Sequence, residues 1–130
     1  MPDSLRHILC IDDEPDILEI ARLCLETVGD YQVTTCVGGR DGIAQAIQSP
    51  PDLILIDVMM PDMDGPTTFR KIKDIATLEK IPVIFMTARV QKSEIDGYLK
   101  IGAAAVIAKP FDPMKLSQDI RAIWSSLRGR

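Results

Sequence analysis

Five short apolar runs punctuate the chain, and the stretches between them carry apolar residues at helical spacing. The runs are Ile8-Leu9-Cys10-Ile11, the more amphipathic Gln32 to Val37, Leu53-Ile54-Leu55-Ile56, Val83-Ile84-Phe85-Met86 and Ala104 to Ala108. Four or five consecutive apolar residues suit a strand whose two faces are both covered, unlike the strict alternation of a half-exposed strand. Strand-length runs alternating with helical segments predict an α/β fold, a parallel sheet with helices on both faces.

The helical segments have start and stop signals. Ile17, Ile20, Ala21, Cys24, Leu25 and Val28 form one apolar stripe between Pro15, suited to a first helical position, and Gly29. At the other end, Asp112 is expected to cap and Pro113 to open a helix whose face is Leu116, Ile120, Ile123, Trp124 and Leu127. Weaker periodicity predicts helices over Gly39 to Gln48, Asp64 to Ala76 and Gln91 to Ile101, with Pro50-Pro51 and Ile81-Pro82 as breakers before the following strands. Without a repeat, a low-complexity tract or a linker, residues 1–130 read as one domain.

Composition narrows the functional classes. With 46% hydrophobic residues among 130, the chain can build its core without disulfides or a structural metal. Fifteen Lys and Arg against 19 Asp and Glu leave a formal charge of −4, which opposes direct nucleic-acid binding. Cys10, Cys24 and Cys36 have no C-x-x-C spacing and lie in apolar stretches, so buried free thiols in a reducing, cytoplasmic setting are expected. The single histidine, His7, leaves little for a hydrolytic triad or a histidine zinc site. Met1 to Arg6 has no long apolar region and no run approaches a membrane span, so no membrane insertion is expected.

The candidate chemistry follows the strands. Ile11 is succeeded by Asp12-Asp13, Ile56 by Asp57, Met86 by Thr87 and Ala108 by Lys109. In an open parallel sheet the carboxyl ends share one edge, where ligands bind, so these groups should converge. Carboxylates 4 Å apart repel by about 4 kcal/mol at an effective dielectric near 20, so such a trio calls for a cation or a proton. Oxygen-only ligands point to a hard divalent ion, Mg²⁺ or Mn²⁺. A carboxylate can accept a phosphoryl group as an acyl phosphate, and Asp57 is the candidate acceptor. Lys109 and Thr87 are a matching ammonium and hydroxyl donor.

Taken with Asp12-Asp13-Glu14-Pro15, Asp57-Val58-Met59-Met60-Pro61-Asp62-Met63-Asp64-Gly65, Thr87-Ala88-Arg89 and Lys109-Pro110-Phe111, the chain resembles the receiver domains of bacterial two-component response regulators, chemotaxis regulators included. The resemblance implies a flavodoxin-like sheet of order 2-1-3-4-5 with five helices. It implies phosphorylation of Asp57 by a histidine kinase or phosphotransfer protein. The metal would be held by Asp12, Asp13, Asp57 and the backbone carbonyl of Met59. Thr87, the Ala88 NH and Lys109 would receive the phosphoryl oxygens, and the bond before Pro110 would be cis. The implied role is signalling, not enzymatic turnover of a substrate, by contact with a downstream protein through the fourth helix, fifth strand and fifth helix, including Lys92, Ile95, Tyr98, Val106 and Lys115.

Three positions bear on output and on the lifetime of the phosphoryl group. Val106 stands where the family often places a switching aromatic, and Met59 and Arg89 occupy positions that tune access to the phosphoryl group. Two other classes compete. A phosphatase working through an aspartyl intermediate wants a D-x-D motif and a cap domain, which Asp57-Val58-Met59 does not supply, and a degenerate receiver acting as a scaffold should lack a site residue. An EF-hand around Asp62-Met63-Asp64-Gly65 fails, because Met60 and Lys71 fall where acidic ligands are required. Gly38, Gly39 and Gly42 suit a helix cap and turn, Met59, Met60 and Met63 loop packing, and Arg70, Lys71 and Lys73 a solvated helix face. With no output segment in the sequence, a stand-alone receiver is the favoured expectation over part of a longer chain.

Overall fold

The computed structural model describes residues 5–128, so expectations for Met1 to Ser4 and for Gly129-Arg130 lie outside the described residues. The elements run β1 (His7–Asp12), α1 (Pro15–Thr27), β2 (Gln32–Val37), α2 (Gly39–Gln48), β3 (Leu53–Asp57), α3 (Gly65–Lys73), β4 (Val83–Thr87), α4 (Lys92–Lys100), β5 (Ala105–Ala108) and α5 (Leu116–Arg128). Every strand pair is parallel, and the order is β2-β1-β3-β4-β5. This is the flavodoxin-like order expected above.

The uninterrupted apolar runs are explained by the two faces of the sheet. Ile8, Cys10, Leu53, Leu55, Ile84 and Met86 pack with Leu18, Ala21 and Leu25 of α1 and Leu116, Ile120 and Trp124 of α5. Their neighbours Leu9, Ile11, Ile54, Ile56, Val83 and Phe85 pack on the other face with Ala46, Phe69 and Ile72. Successive strand residues point to opposite faces, so both positions must be apolar. The register sets Asp57 beside Met86 and Thr87 beside Ala108, which aligns the strand ends at one edge.

Several local expectations are corrected. The buried stripe of α1 is Leu18, Ala21 and Leu25, whereas Ile20 and Val28 are 41% and 56% exposed. Helical period allowed either set, and the position of the sheet chose between them. Of the cysteines, Cys10 alone is fully buried, and burial pushes its thiol up to about 12, while Cys24 and Cys36 are half-buried. α5 begins at Leu116, one turn later than Pro113: the Asp112 carboxylate accepts from the Met114 NH and its carbonyl from the Leu116 NH, so Asp112 does cap, but it caps the turn that leads into the helix. Lys73 is not on a solvated face: its ammonium donates to the carbonyls of Glu79 (2.9 Å) and Ile81 (2.7 Å), tying down the α3–β4 connection. Met60 and Met63 do pack in the loop, but Met59 is 62% exposed.

One glycine is required by the site's backbone. α3 starts against β3 so closely that a Cβ on Gly65 would lie 2.6 Å from the Asp57 carbonyl oxygen and 2.8 Å from Val58 Cα. The Asp64 carboxylate caps this helix by accepting from the Thr67 NH at 2.8 Å.

Candidate functional site

Each of four strands delivers one polar group to the shared edge. Asp12, the last residue of β1, is fully buried; its Oδ1 accepts from the Glu14 NH at 3.0 Å and its Oδ2 from Lys109 Nζ at 2.9 Å. Asp57 ends β3, is 3% exposed, and places Oδ2 3.2 Å from the same ammonium. Thr87 ends β4, and its buried hydroxyl accepts from the Arg89 NH at 3.0 Å. Lys109 follows β5, anchored by its NH donating to the Thr87 carbonyl at 2.9 Å, and the Lys109–Pro110 bond is cis. A cleft of about 360 Å³ opens above them, lined by Glu14, Ile17, Asp57, Met59, Ala88, Lys109 and Pro110.

Charge is unbalanced there. Oxygens of Asp12, Asp13, Glu14 and Asp57 all lie within 4.8 Å of one another, and among the described residues they face one ammonium, that of Lys109. Burial, reinforced by the charge of Asp12, lifts Asp57 to about 6 despite the opposing pull of Lys109. Asp12 is also raised, first by burial, against the hydrogen bonds from Lys109 and Glu14. For Lys109, burial works against the charge, but its bonds to Asp12 and Glu14 and the charges of Asp12 and Asp57 outweigh that and raise it above the ordinary lysine value. The excess of carboxylate oxygens is the donor set a hard divalent cation takes, and the cluster could bind one.

Of the expected site residues, Asp57, Ala88 and Lys109 line this cleft, Asp12 and Asp13 lie beside Asp57 in the acidic cluster, and Thr87 is tied to Lys109 through the backbone. Arg89 instead turns toward Glu94, 3.9 Å away. Val106 is half-buried opposite Phe85 in the β4–β5 register. Sequence reasoning gave no role to Glu14, whose Oε1 lies 3.0 Å from Lys109 Nζ. Its one signal was its place directly after the acidic pair.

A parallel sheet of this order with carboxylates and a lysine at its carboxyl edge defines a doubly wound α/β domain with its site where such sheets bind ligands. The family model of the response regulator receiver domain matches residues 8–121. Response regulator SaeR of Staphylococcus epidermidis is 37% identical over 112 residues, covering 86% of this chain and 47% of that protein. Response regulator PleD of Caulobacter vibrioides is 37% identical over 117 residues, covering 90% of this chain and 26% of that protein. The chain thus spans half or less of the length of these curated relatives. Among solved structures, the Vibrio cholerae chemotaxis protein CheY4 is similar with a TM-score of 0.84 at 25% identity, over 92% of this chain and 99% of that one. The signal receiver domain of a histidine kinase from Syntrophus aciditrophicus is similar with a TM-score of 0.79 at 32% identity, over 93% and 91%. The chain belongs to the response regulator receiver family, the signalling domains of two-component systems.

Proposed function

We propose that the chain accepts a phosphoryl group on Asp57 from a histidine kinase or histidine phosphotransfer protein and signals through the resulting change of its surface. The observation that carries this reading is the placement of a buried carboxylate, Asp57, at the floor of an open cleft within 3.2 Å of a fixed ammonium. An oxygen of Asp57 attacks phosphorus of a phosphohistidine. The P–N bond breaks, the imidazole leaves and takes up a proton, and an acyl phosphate remains on Asp57. Lys109 pairs with the incoming phosphoryl oxygens, and the Thr87 hydroxyl and Ala88 NH donate to them.

Asp12, Asp13, Asp57 and the Met59 carbonyl would hold Mg²⁺ or Mn²⁺. When bound, the cation supplies positive charge that offsets the carboxylates and the transferring group. The acidic cluster of the described residues supports this assignment. Three free cysteines suit a reducing cytoplasm, and among the described residues no helix is long and apolar enough to cross a membrane.

The downstream partner is read to dock on α4, β5 and α5, where Lys92 and Lys115 are exposed and Ile95, Tyr98 and Val106 are half-buried. The residues act as one receiver module that neither binds nucleic acid directly nor turns over a substrate. The test is intact mass after incubation with acetyl phosphate, with and without Mg²⁺, for the wild type and Asp57→Asn. A Mg²⁺-dependent gain of one phosphoryl group by the wild type alone is expected. No gain would replace this reading with a phosphorylation-independent scaffold.

A further inference from the structure

Of the three carboxylates that touch the ammonium of Lys109, one differs from the other two in its surroundings. Asp12 and Asp57 are buried, while the Glu14 side chain is 58% exposed at the mouth of the cleft. Glu14 occupies the N-cap position of α1 with extended backbone (φ −107°, ψ 106°), yet its side chain caps nothing. Its carboxylate reaches across instead to Lys109, 95 residues away in sequence. An exposed pair of this kind forgoes hydration and side-chain freedom for a small gain. It is explained if the contact serves the ammonium.

We propose, resting on the acceptor role of Asp57 argued above, that Glu14 is a positioning residue that restrains phosphorylation by holding Lys109 in the resting state and giving it up as the phosphoryl group arrives. The ammonium donates to Asp12 and Glu14, while Asp57, 3.2 Å away, gives up its charge to the phosphoryl group as the acyl phosphate forms. The contact with Asp57 therefore passes to the phosphoryl group directly, and a second bond from Lys109 to it forms only if Asp12 or Glu14 loses one. Releasing buried Asp12 leaves its charge without the ammonium and without water, whereas released Glu14 returns to solvent at little cost. Glu14 is therefore the partner that yields. Until it does, its negative charge also faces the anionic donor at the cleft mouth.

Glu14→Gln keeps an oxygen that can accept from Lys109 and removes the charge. With acetyl phosphate as the probe, its acetate leaving as the phosphoryl group passes to Asp57, the substitution should raise the phosphorylation rate at saturating Mg²⁺ about 3- to 10-fold. The gap should narrow in about 0.5 M salt, where charge at an exposed site is screened. Mg²⁺ affinity, followed by titration calorimetry, should fall only modestly, because Glu14 lies beside the carboxylates that would hold the cation without being one of them. An equal or slower rate in Glu14→Gln beside a phosphorylated wild type would overturn the proposal, as would loss of measurable Mg²⁺ binding in Glu14→Gln, which makes Glu14 a cation ligand. A wild type that takes no phosphoryl group would instead remove the acceptor reading itself.

Discussion

Tyr98 of α4 stands edge-on to Phe85 of β4, with ring centroids 5.3 Å apart at 65°, and Phe85 lies opposite Val106 in the strand register. α4 has no fully buried residue, so this aromatic contact is a main attachment of that helix to the core. Tyr98→Ala is expected to cost about 2 kcal/mol in urea unfolding, and Tyr98→Phe, which keeps the ring, under about 0.5 kcal/mol. Equal losses in the two variants would show that the hydroxyl, not the ring, holds α4.

Asp57 gives a pH-dependent expectation. Its folded value of about 6 lies above the ordinary 3.8, so the folded state holds this proton more tightly. The stabilisation is complete below the unfolded value and is lost as pH rises through the folded one, a fall of about 3 kcal/mol at most by pH 7. Without Mg²⁺, Asp57→Asn should therefore exceed the wild type in stability at pH 7 and match it near pH 4. Added Mg²⁺ should favour the wild type more. Melting curves at the two pH values decide this, and a destabilised Asp57→Asn at pH 7 contradicts it.

Among the described residues, Lys109→Met removes the only ammonium facing the acidic cluster and leaves two buried carboxylates without it. Breaking such a pair from one side should cost about 3 kcal/mol at pH 7. The loss should shrink at pH 5, where the raised carboxylates take up protons, and also in Mg²⁺. A pH-independent loss, measured by chemical denaturation, would mean that packing of the lysine stem is what matters.

Gly65→Ala tests the coupling of backbone to site. The new methyl would press on the carbonyl of Asp57 itself, an atom that cannot swing aside as a side-chain tip can. A destabilisation of roughly 2 to 4 kcal/mol is expected, together with slower phosphorylation of the folded protein by acetyl phosphate. An unchanged rate would show that α3 gives way and spares Asp57.

Much of this architecture could be read in advance because it follows from local chemistry. The runs from Ile8, Leu53 and Val83 are apolar at every position since both faces of the sheet are covered, and the first polar residue after each run marks the functional edge. What escaped depended on direction in space. Leu18 and Ile20 fit the same helical period, and the neighbouring sheet decides which is buried. The bonds of Lys73 to Glu79 and Ile81, and of Glu14 to Lys109, depend on where flexible side chains end once the chain has turned, and neither leaves a periodic trace.

The placement of Lys109 has one more consequence. The acidic groups ride on β1 and β3 in the middle of the sheet, but their counter-charge hangs from β5, four residues long and the outermost strand on its side. Central strands open only with the whole molecule, whereas margins fray on their own. Each detachment of β5 thus leaves the carboxylates facing one another, and their mutual repulsion raises the penalty for letting go. Electrostatic tension at the centre acts as a latch on the periphery, and amide protection at Ala105 to Ala108 is its gauge.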